Sequence, residues 1–197
     1  MNFDVKGLVS AAVDTVRDPR EGARRVMAVQ IPRRSRWEAV LLVVVLSVLL
    51  SELTLLLGSA SGGMMMGGGL LHNPLAMGAL QLTVLMVLIW GMYVLGRLAG
   101  GTGSLDDAIM LVVWLQAIML GLQVVQLAAM LLLPPLASLI GLGGILLFFY
   151  LLTMFTTELH GFNSPGAVFI AILGAMVGFI MVLSFILALF GVQISGV

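Results

Sequence analysis

The sequence predicts an all-α, polytopic membrane protein: a five-transmembrane-helix bundle preceded by short amphipathic surface helices. Three observations predict it. Of 197 residues, 61% are apolar and only 9% are charged, about a third of the charged fraction of a soluble domain. Several apolar runs approach or exceed about 18 residues, the length that marks a bilayer-spanning helix. Eight of the nine Lys and Arg residues (Lys6, Arg17, Arg20, Arg24, Arg25, Arg33, Arg34 and Arg36) precede the first of these runs, and by the positive-inside rule the N-terminus is cytoplasmic. That first run starts late and is long enough to span, which argues against a signal peptide. The absence of cysteine removes disulfides, thiolate metal sites and thiol nucleophiles together. Too little chain lies between the spans for a separate soluble catalytic domain.

Residues 1–36 read as a cytoplasmic, basic, amphipathic segment. Leu8, Val9, Ala12, Val13 and Val16 recur at helical spacing as one apolar stripe. Asp18-Pro19-Arg20-Glu21 then starts a second short helix: an acidic cap, Pro at the first helical position and Glu at the third. Such a segment is expected at headgroup level, with Arg20, Arg24 and Arg25 toward anionic lipid and the apolar stripe inward. Setting topology is by itself a sufficient reason for the arginines.

Pro32 ends this segment, and Ser35-Arg36-Trp37-Glu38 reads as a capping box opening a membrane domain over 37–197, with Trp37 in the interface belt. The first span covers about 39–57. Residues 58–74 are a Gly- and Met-rich outer loop. Met64, Met65 and Met66 with His72 and Met77 supply soft donors, but consecutive side chains do not converge without an ordered scaffold, so no metal site is assigned. No cofactor is assigned either. The second span, about 75–98, closes with Trp90, Tyr93 and Arg97.

The stretch Arg97-Leu98-Ala99-Gly100-Gly101-Thr102-Gly103-Ser104-Leu105-Asp106-Asp107-Ala108 reads as a short aqueous connector. Gly100, Gly101 and Gly103 allow a tight reversal with positive φ. Ser104 is an N-cap with Asp107 as a capping-box acid, and both Asp106 and Asp107 favour the positive end of the helix dipole. The third span covers about 107–133, and Pro134-Pro135 forbids its continuation. The fourth, about 137–157, contains Gly141 and Gly144, and Ser164 before Pro165 opens the fifth, about 165–192. Five spans put the C-terminus outside and return Arg97 to the cytoplasmic side.

Glu52 is the one carboxylate well inside an apolar run, roughly 8 Å short of the outer end of its span. A charge near the bilayer centre costs about 2.5–3.5 kcal/mol. Protonation, a water pocket, or hydrogen bonds from Ser51, Thr54 or the third span should offset that cost. Gln116, Gln123 and Gln126 share one side of the third span, where amides should face another helix or a cavity. Gly174 and Gly178 form a GxxxG pair within a small-residue stripe and are expected to pack a helix closely. Arg20, Arg24, Arg25, Asp106, Asp107, Glu158 and His160 fall together as a candidate cytoplasmic partner face. His160, a lone histidine in a short loop, reads as structural rather than catalytic.

Three of these elements, in this order on a five-span frame, resemble the Yip-domain family, membrane proteins named for interaction with Ypt/Rab-type GTPases. They are Asp18-Pro19 with its short helix, Gly100-Gly101-Thr102-Gly103-Ser104 before an acidic helix start, and Glu158-Leu159-His160-Gly161-Phe162-Asn163 before the last span. The resemblance runs from about Asp18 to the end. It implies a five-helix membrane domain, a cytosolic N-terminus and no catalytic residues. The short N-terminal extension leaves little surface for a GTPase and looks more like the compact bacterial relatives, placing the protein in a bacterial inner (plasma) membrane.

Two functions follow as expectations. The first is a non-enzymatic membrane protein that binds partner proteins or organises the membrane through its cytoplasmic face. Its partners would be the lipid bilayer, with anionic headgroups at the N-terminal segment, and another membrane protein or itself, with no nucleic acid. The alternative is a small permease or channel using Glu52 and the third-span glutamines. An intramembrane enzyme lacks its constellation: no Ser/His/Asp set, HExxH or paired intramembrane carboxylates occur.

Overall fold

A computed structural model describes residues 5–60 and 73–189, all helical apart from short connectors. The stretch containing Met64, Met65, Met66 and His72, and the last residues of the fifth expected span, lie outside the described residues. Seven helices follow in order: α1 (Val5–Arg17), α2 (Pro19–Ala28), α3 (Arg33–Ala60), α4 (Pro74–Leu98), α5 (Leu105–Leu132), α6 (Pro134–His160) and α7 (Pro165–Leu189). α3 to α7 are the five described helices long and apolar enough to cross a membrane. The chain is an integral, multi-pass membrane protein.

Local chemistry sets the boundaries. Asp18 accepts a hydrogen bond from the Glu21 N–H (3.1 Å) and Pro19 opens α2, as the acidic cap predicts. Asn73 caps α4 ahead of Pro74. Leu133 takes an extended conformation (φ −148°) where Pro134 forbids helix, so α5 and α6 meet at an abrupt turn. One expected cap is replaced: α3 begins at Arg33, directly after Pro32, so Ser35 is already inside the helix. Glu38 instead pairs with Arg34 one turn earlier, at 2.8 Å.

α5 is the central helix, packed against α2, α3, α4 and α6. The buried core lies toward one end of the bundle. It draws on the start of α3 (Val40, Val43, Val44), the later part of α4 (Leu85, Ile89), the start of α5 (Ile109, Leu111, Leu115) and the end of α6 (Leu151, Phe155). These are the helix ends that carry the basic segment, hereafter the basic end. Toward the opposite end large apolar side chains face outward, among them Leu132, Leu139 and Leu146. Facing lipid, such side chains lose little by leaving the protein interior.

Two expectations are corrected here. α2 is not laid on the headgroups alone: Pro19, Gly22 and Ala23 are buried and the helix packs on α6 and α5. Gly174 and Gly178 meet none of the described residues within 4 Å of where a Cβ would stand, because α7 packs chiefly on α6 through other positions such as Val168. Gly174→Leu and Gly178→Leu are therefore expected to leave monomer stability within about 0.5 kcal/mol. Thermal unfolding with size measurement in mild detergent checks this: a large fall in melting temperature without a change in size would contradict the outward face.

Candidate functional site

The polar residues that the sequence scatters over 140 positions converge at the basic end. α4 closes there with a Schellman motif: the Gly100 N–H donates to the Arg97 carbonyl (3.0 Å) and the Gly101 N–H to that of Gly96 (2.8 Å). Gly100 alone of the three loop glycines has positive φ, +89°. α6 ends the same way, with Gly161 at φ +69° and the Phe162 N–H donating to the Thr157 carbonyl at 2.9 Å. Ser104 then caps α5 by accepting from the Asp107 N–H (3.1 Å), and its hydroxyl donates to the Asp107 carboxylate. Only half of the expected capping box forms: the serine caps the helix, while the Asp107 carboxylate accepts from the serine hydroxyl and not from its backbone N–H.

Gly101 and Gly103 serve a different need. With Gly96 they form a cradle for the His160 ring, and a Cβ on any of the three would overlap the imidazole or, at Gly103, also Leu159. His160 is the last residue of α6 and only 3% exposed. The Gly103 N–H donates to its Nδ1 (3.2 Å), so Nδ1 is unprotonated and Nε2 carries the hydrogen toward the Met92 carbonyl (3.0 Å). Phe162 stacks on the ring. One neutral imidazole thus ties α4, the connector and α6 together. His160 belongs beneath the surface, not on a partner face.

Ion pairs fasten the rim. The Arg24 Nε donates to Glu158 at 2.6 Å, joining α2 to α6. This bond and the carboxylate's charge raise the pKa of the Arg24 guanidinium further. The Arg36 guanidinium meets Asp106 at 3.0 Å with Arg33 at 3.7 Å, joining α3 to α5. Arg36 Nε and Asp106 Oδ1 are buried without a hydrogen bond among the described residues, so this pair acts by charge more than by directed bonding. Arg25 pairs with Glu21 on its own helix at 3.2 Å. Of the seven residues grouped as a partner face, Arg24, Asp106, Asp107 and Glu158 are engaged internally. Arg25 points outward, with 62% of its side chain exposed, while Arg20 is half-buried and makes no ion pair among the described residues.

The intramembrane polar residues do not form one site. Gln123 and Gln126 line a groove of about 340 Å³ between α5 and α6, beside Gly141 and Gly144. Gly141 leaves room for the Gln126 amide, whose nitrogen lies 2.9 Å from where a Cβ would stand. Gln116 is half-buried nearer the start of α5 and does not line the groove. Glu52 is half-buried on α3, which packs on α5 and α4 but not appreciably on α6, and it does not line the groove either. Thr54, expected as a donor to Glu52, donates to its own backbone at Leu50 (2.8 Å).

Sequence reasoning missed the histidine cradle and the link from the Trp114 indole N–H to the Thr15 hydroxyl (3.1 Å). A signal for the cradle existed: a turn needs one left-handed glycine, and this connector has two more.

A family model described as the Yip1 domain matches residues 13–191. No curated protein and no solved structure matches the chain.

Proposed function

Because the chain belongs to the Yip1-domain family across nearly its whole length, we propose that it is a non-enzymatic membrane protein that binds partner proteins or organises the bilayer through its basic end. We place it in a bacterial inner membrane with that end in the cytoplasm. The observation that carries this reading is the closed basic end itself. Histidine, capping residues and acids are used up in holding helices together, and what remains outward is a surface bearing Arg17, Arg20, Arg25 and Arg34. Among the described residues there, none pairs a nucleophile with a base in a cleft. It is a rigid platform with a positive face, suited to recognition.

Two measurements test it. Reporter fusions after Arg36, Gly101 and Gly161 are expected to read cytoplasm, and those after Gly67 and Val197 the outside; a cytoplasmic C-terminus would defeat the orientation. Purification in mild detergent should retain a defined protein partner, and Arg17→Glu with Arg20→Glu should release it without altering the helical circular dichroism. A partner held equally by both forms would take recognition away from this face. The transport alternative draws less support, since it needs Glu52 and the glutamines on one path and neither Glu52 nor Gln116 lines the groove of Gln123 and Gln126.

A further inference from the structure

The α1–α2 hairpin roofs a second cavity, of about 280 Å³, against the first half of α5. Its walls are mostly apolar: Val26 and Val29 on one side, Met110, Val113 and Trp114 on the other, with Arg25 also lining it. The indole N–H of Trp114 is satisfied by Thr15, so the ring stands as a fixed wall. Trp114 lies nine residues beyond Leu105, where α5 begins, roughly 13 Å along the helix. Beside it α1 turns Leu8, Val9 and Val13 outward, 43–58% exposed, an apolar face suited to hydrocarbon. The cavity therefore sits where a lipid's headgroup gives way to its chains.

We propose that this cavity holds an anionic phospholipid, one acyl chain lying along the Val, Met and Trp walls and its phosphate meeting Arg25. Charge favours that occupant. The Arg25 Nε is bonded to Glu21, but its terminal amino groups make no further hydrogen bond among the described residues, leaving both amino groups, with four N–H, for phosphate oxygens. Residues 1–36 carry eight cations against four acids (Asp4, Asp14, Asp18 and Glu21), an excess that attracts an anionic leaflet. A zwitterionic headgroup brings no net charge to that field. The inference rests on the functional reading above, which places this end at the cytoplasmic leaflet.

The full chain carrying Trp37→Phe and Trp90→Phe keeps Trp114 as its single indole. It would be reconstituted in phosphatidylcholine vesicles containing a minor fraction of lipid with brominated acyl chains, either phosphatidylglycerol or phosphatidylcholine. Brominated phosphatidylglycerol should half-quench Trp114 at about fivefold lower mole fraction, the discrimination one arginine supplies at a membrane surface. Arg25→Gln should erase the difference while helical content stays unchanged. Equal potency of the two lipids, or a preference that survives Arg25→Gln, would overturn the site. So would an indole shielded from both lipids by a retained polypeptide. The reporter fusions separate the two claims: equal potency with a cytoplasmic N-terminus defeats the lipid site alone, whereas an N-terminus outside defeats the functional reading as well.

Discussion

Gly96→Ala is expected to destabilise the protein by about 3 kcal/mol or more, although an alanine in a helix interior is ordinarily the better residue. Gly96 is buried in the last turns of α4, and a Cβ there would coincide with the His160 ring. The ring cannot step aside cheaply. Gly101 and Gly103 close the cradle, Phe162 covers it, and withdrawal would strip the Gly103 N–H of its acceptor, a desolvation cost of about 1–3 kcal/mol. The decisive comparison is with His160→Ala, which alone should be destabilising. In that background the ring is gone, and Gly96→Ala should change sign, becoming stabilising by about 0.5–1 kcal/mol through its backbone preference. Thermal unfolding of the four proteins in one detergent completes the cycle. Equal damage in both backgrounds would mean that Gly96 is not making room for the imidazole.

The second large effect is expected at Gly22. A Cβ there would stand 2.6 Å from Thr15 Cγ2, 2.7 Å from Oγ1 and 2.8 Å from Cβ. These atoms belong to a short β-branched side chain with no flexible tip to swing away. Thr15 is buried, bonded to the Ala11 carbonyl at 2.7 Å and receiving the Trp114 N–H. Gly22→Val should therefore pry α1 from α2 at a cost of about 2 kcal/mol, leaving the five long helices in place. Hydrogen exchange would show lost protection confined to residues 5–17, while the main unfolding transition moves little. Unchanged protection in α1 would show that the helix is held by something other than this contact.

Much of the architecture could be read in advance because its causes are local. Hydrophobic length marks each span, and Asp18, Ser104, Pro134 and Pro165 act within a few residues of themselves, so their helix ends fall where the chain predicts. Ser35 misled for the same reason: it makes a fair cap in isolation, but Pro32 had already let the helix begin. The site was less legible because its contacts are remote. His160 looks like a loop residue until α4 and the connector supply the cradle, and Arg24 gives no hint that Glu158 awaits it. Gly174 and Gly178 show the converse failure, since a spacing rule says that a helix could approach there and not that one does.

The bond between Arg24 and Glu158 spans 134 residues, and that separation bears on how the protein is made. At about 5–20 residues per second, a newly emerged α2 waits on the order of ten seconds for its partner, and the glycine cradle stands open for part of that time. α3, α4 and α5 must enter the membrane before their shared end can shut. Completion of α6 is the event that seals it, because the histidine and the glutamate arrive together at its last turn. A chain stalled before that point would display bare arginines and an empty cradle, a mark by which cellular surveillance could tell an unfinished copy from a finished one.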